Sequence, residues 1–100
     1  MAHDVTLTIN AACQGESGNV DNGGAVYFVC TPQSATINYT PTDAFTGSYN
    51  GSLPLTHNNG VRNGPFNIKP KPQDFTINYT VEKCHQLTAQ TGGYTIKVGS

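Results

Sequence analysis

The sequence predicts an all-β fold: an antiparallel β-sandwich of about seven strands, with a small Greek-key β-barrel as the alternative. Three observations carry this. Apolar and polar residues alternate with a period of two along most of the chain. Turn-forming Asn, Asp and Gly pairs recur roughly every ten residues. No apolar spacing of i, i+3, i+4, i+7 is sustained, so nothing argues for a helix.

The strands follow in order. Val5, Leu7 and Ile9 alternate with Thr6, Thr8 and Asn10, which marks a first strand with one apolar face. Asp21-Asn22-Gly23-Gly24 then signals a tight turn, because Asn and Gly tolerate positive φ. Val26, Phe28 and Cys30 form the next inward row. Their neighbours Tyr27 and Val29 are apolar as well, so this strand is expected to be covered on both faces. Ala35, Ile37 and Tyr39 alternate with Thr36, Asn38 and Thr40. A weaker strand is expected within residues 45–56. Phe66 and Ile68, then Phe75, Ile77, Tyr79 and Val81, then Tyr94, Ile96 and Val98 complete the series. Prolines 32, 41, 65, 70 and 72 fall at strand margins, where a missing N–H does least harm. Asn50-Gly51, Asn58-Asn59-Gly60, Asn63-Gly64 and Gly92-Gly93 read as further turns. Short strands at this spacing give a sandwich that is immunoglobulin-like in the broad sense. The length of 100 residues suits one domain spanning 1–100.

The chain repeats itself. PQSATINYT (32–40) returns as PQDFTINYT (72–80), with seven of nine residues identical, and Val26/Phe66 and Phe28/Ile68 match at the same offset. Each copy is an apolar strand, a Pro-Gln corner and a second strand, which points to internal duplication. Strand phase sends Ile and Tyr of each copy inward and Thr-Asn-Thr outward. The outward residues Thr36, Asn38, Thr40, Thr76, Asn78 and Thr80 are therefore the candidate functional surface. That surface reads as an ordinary solvated strand face, as a flat polar binding face for sugar or even ice, extended by Thr6 and Thr8, or as glycosylated. Asn38-Tyr39-Thr40, Asn78-Tyr79-Thr80 and Asn50-Gly51-Ser52 fit the glycosylation acceptor pattern.

Three cysteines without a C-x-x-C pair point to a disulfide rather than a metal cage. Counting alternately directed strands puts Cys30 and Cys84 at one end and Cys13 at the other, so the expected bridge is Cys30–Cys84. If residues 45–56 hold two strands the count flips and favours Cys13–Cys84. Cys84-His85 also invites a small metal or redox centre, and a cysteine near His57 invites a nucleophilic pair.

Other chemistry is not encoded. Glycine phosphate cradles, G-x-S-x-G elbows, H-E-x-x-H helices and twelve-residue calcium loops are missing from the sequence, although Asp21, Asn22 and Asp43 offer oxygen ligands. Trp platforms for sugar are absent too, leaving Tyr27, Tyr49 and Tyr94 as substitutes. Charged residues make up only 11% of the chain, and Lys and Arg do not cluster, so nucleic acid is not an expected partner. No apolar run approaches a spanning helix. Met1-Ala2-His3-Asp4 leads straight into a strand with no signal-type apolar region. With the Thr/Asn-rich composition and the cysteines, this reads as the mature part of a secreted, periplasmic or surface protein.

The expected function is that of a non-enzymatic structural or adhesive module. A small lectin-like carbohydrate binder is the alternative, and a metal or redox protein using Cys84 and His85 is third. Expected partners are a protein or glycan at a cell or virion surface, or a second copy joined through a sheet edge. No catalytic residues, cofactor, metal or membrane insertion are expected.

Overall fold

A computed structural model describes residues 3–84 and 91–99. These residues form eight β-strands in two sheets and no helix. The strands are β1 (Val5–Ile9), β2 (Gly18–Val20), β3 (Ala25–Cys30), β4 (Ser34–Thr40), β5 (Ser52–Thr56), β6 (Asn63–Asn67), β7 (Phe75–Glu82) and β8 (Thr91–Val98). One sheet has the order β1-β3-β6; the other has the order β2-β8-β7-β4-β5 and curls into a half-barrel.

Period-two patterning succeeds because each strand has one face to bury. Leu7, Ile9, Val26, Phe28, Ile37, Tyr39, Ile77, Tyr79, Val81, Ile96 and Val98 are all buried, in one cluster that draws on both sheets. Phe28 of one sheet packs edge-on against Tyr79 of the other, with ring centroids 5.6 Å apart. Burying a Phe or Leu side chain stabilises a fold by roughly 1.5–3 kcal/mol, so this row outweighs any turn preference. Tyr27 and Val29, on the opposite face of β3, are half-buried. The Arg62 guanidinium lies 3.8 Å from the centre of the Tyr27 ring and donates to the Thr6 hydroxyl.

The structure departs from the sequence expectation in four places. The fold is not wholly antiparallel: β1 runs parallel to β3, and β2 parallel to β8. The three-residue β2 is too short to show alternation, so the sequence reads it as loop. Asn63-Gly64 is not a turn but the start of β6, with Gly64 at φ +126°. Gly92-Gly93 is not a turn but part of β8, where a register shift opposite Tyr79 and Thr80 accommodates Gly93 at φ +88°. Within residues 45–56 one strand forms, over Ser52–Thr56.

The repeat has a geometric meaning. Tyr39 lies directly opposite its own equivalent Tyr79 in the β4–β7 pair, and Val26 lies opposite its equivalent Phe66 in the β3–β6 pair. Asn38 faces Thr80 and Thr40 faces Asn78, the arrangement a two-fold rotation produces. The two copies are thus related by an approximate local two-fold rotation, kept along β4 and β7 and broken in the β3–β6 pair by a register shift between Val26 and Phe28. Outside the copies the symmetry is imperfect. β1 lies along β3, whereas beside the end of β6 lies only the segment 44–46, bridged through Phe45 to Ile68.

The edges β5 and β6 carry Pro54 and Pro65, which cannot donate to an added strand. Asn63 joins this side of the molecule. Its amide donates to the Phe28 and Thr56 carbonyls at 3.2 and 3.0 Å, and its oxygen accepts the Thr56 N–H.

Candidate functional site

The outward residues of the two copies form one surface. Because β4 and β7 are neighbours, Thr36, Asn38 and Thr40 stand beside Glu82, Thr80 and Asn78, with Thr76 next along β7. Thr40, Thr76 and Asn78 are exposed; Thr36, Asn38 and Thr80 are half-buried by their neighbours. The sequence proposed these six residues strand by strand. What it did not show is that all six share one sheet face.

The face extends on both sides. Ser52 and Pro54 of β5 pair with Asn38 and Thr36, while Thr95 and Lys97 of β8 pair with Asn78 and Thr76. Asn19 of β2 stands beside Lys97. Thr6 and Thr8 do not join it, since β1 belongs to the other sheet. Between the copies is a depression of about 270 Å³ lined by Asn38, Thr40, Asn78, Thr80, the tyrosines between them and Gly93. Gly93 borders it on the β8 side, where the space is open and an added Cβ would meet no atom within 4 Å. A larger hollow of about 650 Å³ lies farther along, between the start of β7 and the end of β8. Asn19, Asp74, Thr76 and Lys97 line it, and Asp74 and Lys97 form no ion pair with each other.

None of the three tyrosines considered as sugar platforms reaches this face. Tyr27 is under Arg62, Tyr94 packs on Tyr79, and Tyr49 packs on Phe66. The third acceptor-pattern residue, Asn50, is exposed in a turn at φ +56°.

The expected Cys30–Cys84 bridge is incorrect. Cys13 and Cys84 form the disulfide, with Cα atoms 6.1 Å apart, and Cys30 is free and buried. The cause is the unrecognised β2. One extra strand reverses the direction count, and the parallel register of Ile9 with Cys30 brings Cys13 to the same end as the other two cysteines. Cys30, in phase with Phe28, points into the core, where its thiol donates to the Pro32 carbonyl.

Among the described residues the cysteines and His57 form no nucleophilic pair. Cys84 is held in the disulfide, and His85 lies outside the described residues. The His57 ring contacts the Cys30 carbonyl at 3.0 Å, not its sulfur. Burial pushes the Cys30 thiol up, away from the thiolate a nucleophile needs. The oxygen ligands are dispersed among structural bonds. Asp21 accepts the His3 N–H, Asn22 exchanges hydrogen bonds with the Lys71 backbone, and Asp43 pairs with the Lys71 ammonium at 2.8 Å. Among the described residues no group of three His, Cys, Asp or Glu side chains is placed to hold a metal.

No family model, curated protein or solved structure matches the chain. The functional reading therefore rests on the site itself.

Proposed function

We propose that the protein is a non-enzymatic secreted, periplasmic or surface-exposed adhesive module that binds glycan through the outward face of β4 and β7. One observation carries this reading: the duplicated Thr-Asn-Thr rows lie side by side around a depression. Neutral amides and hydroxyls in such an array offer the donors and acceptors that sugar hydroxyls complement. The Cys13–Cys84 disulfide supports a non-reducing compartment. A core shared by the inward faces of both sheets supports the finer fold reading, an immunoglobulin-like β-sandwich in the broad sense.

The test is a glycan array probed with the wild-type protein and with N38A/N78A. Reproducible binding by the wild type, lost in the double variant while its thermal unfolding is unchanged, is the expected result. Binding that survives the double substitution, or no binding to any glycan, overturns the proposal.

A further inference from the structure

On the premise that the face of β4 and β7 binds glycan, its symmetry narrows the ligand class. We infer that the face is a pair of equivalent half-sites, and that it takes a linear, neutral oligosaccharide in either direction.

The first half-site is Asn38 with Thr80; the second is Asn78 with Thr40. Each presents one amide and one hydroxyl as a directly opposed cross-strand pair. The local two-fold axis between Tyr39 and Tyr79 exchanges them. Asn38 and Asn78 are diagonal neighbours across an antiparallel pair, about 7–8 Å apart, a span a disaccharide covers. A directional chain laid over the axis meets one Asn and one Thr on either side when it is turned around, the pair Asn38–Thr80 being half-buried and the pair Asn78–Thr40 exposed. Its two orientations are related by the axis, so turning the chain around exchanges the two Asn–Thr pairs without changing the kinds of group each sugar unit meets in the depression.

The surrounding chemistry favours this ligand class over others. Protein hot spots are built on exposed aromatic or Arg anchors. The large exposed apolar residues among those described, Tyr49 and Val61, are not on this face. Anions and nucleic acids call for clustered cations, and the central depression has neither Lys nor Arg in its lining. What remains is a central depression whose lining exchanges hydrogen bonds without charge.

The experiment uses the intact protein, isotopically labelled, with linear β-linked glucose, N-acetylglucosamine and mannose hexasaccharides carrying a nitroxide at the reducing end. With a hexasaccharide that binds, the nitroxide is expected to broaden amide signals at both ends of the depression, around Thr36 and around Thr76. N38A and N78A should each weaken binding by about tenfold, the equivalent of one hydrogen-bonded amide, and to within a factor of about two to three of one another, the context spread of one such bond. Broadening confined to one end, or a loss in only one of the two variants, overturns the two-way inference and leaves the glycan reading standing. Shifts that map away from this face overturn both; no shifts with any of the three sugars overturn the linear-oligosaccharide inference, while the glycan array decides the glycan reading.

Discussion

Tyr39 and Tyr79 are the same residue in the two copies. They face each other across β4 and β7 and are 4% and 2% exposed, yet their hydroxyls fare differently. The Tyr79 hydroxyl donates to the Glu16 carbonyl and accepts the Glu16 N–H at 2.9 Å. The Tyr39 hydroxyl is buried without a hydrogen-bond partner among the described residues. Burial raises the Tyr39 pKa above its ordinary value, and the Gly51 backbone offsets only part of that. The duplicated strand phase places both rings, while the unduplicated chain beside each copy decides whether the hydroxyl is satisfied. Segment 10–17 reaches Tyr79 closely because residue 15 is glycine; a Cβ there would stand 2.6 Å from the hydroxyl. On the other side, segment 41–51 fills the space with Phe45, whose ring meets Tyr39 edge-on at 5.0 Å.

The most damaging way to break this contrast is to release segment 10–17. The Cys13–Cys84 bridge ties it to the end of β7 across a sequence separation of 71 residues. Closing a loop of that length is worth about 4 kcal/mol in the chain-entropy account. C13S/C84S should lose stability of that order in urea unfolding. A non-reduced digest should yield the Cys13–Cys84 peptide, with Cys30 alkylated only after unfolding. A loss under about 1 kcal/mol would mean that the bridge does not hold this side together.

A sharper cut uses the tyrosines themselves. Tyr79→Phe leaves both Glu16 backbone groups without their partner and should cost about 1–2 kcal/mol. Tyr39→Phe removes an unpaired buried hydroxyl and should be neutral or stabilising. Equal losses would contradict the asymmetry.

The same pair predicts an alkaline limit. Burial is the largest influence on both phenols and raises them above the ordinary value of 10, for Tyr79 strongly. The unfolded chain therefore ionises first. The stability these groups contribute is full below about pH 10 and declines as pH rises toward their folded values. Phenolate absorbance from Tyr39 and Tyr79 should appear only with unfolding. The stability gap between wild type and Y79F should narrow above pH 10, and a gap constant to pH 11 would count against the hydroxyl's burial.

Much of this was legible in the sequence, and the reasons are local. Period-two burial in TINYT follows from neighbouring residues alone, so Ile37, Tyr39, Ile77 and Tyr79 could be placed inward and the six Thr and Asn residues outward. Which strands neighbour one another is not local. The pairing of Tyr39 with Tyr79, which joins two rows into one face, depends on chain direction through every intervening strand. Gly18-Asn19-Val20 carries too few residues to alternate, and missing it misassigned the disulfide. Gly92-Gly93 reads as a turn in isolation and becomes a bulge only because β7 continues beside it.

The mildest prediction concerns what pins segment 41–51, the counterpart of the disulfide-tied arm. Ala44 and Phe45 in the core, Tyr49 against Phe66 and backbone bonds to Tyr39, Asn67 and Lys69 hold it, and the Asp43–Lys71 pair adds an ionic tie. The hydrogen bond from Lys71 is the main influence holding the Asp43 carboxyl below its ordinary value of 3.8. A depressed folded pKa means the pair's contribution is present above that value and is lost as pH falls through the lower, folded one. Both partners meet solvent, so the contribution is small and screened by salt. D43N should lower Tm slightly at neutral pH, less than Y79F does. The gap to wild type should close on acidification toward pH 2, or on raising the salt to about 1 M. A D43N loss as large as that of C13S/C84S would show segment 41–51 to be held by charge. The expected order, with Y79F between the two, shows it to be held by Phe45 in the core.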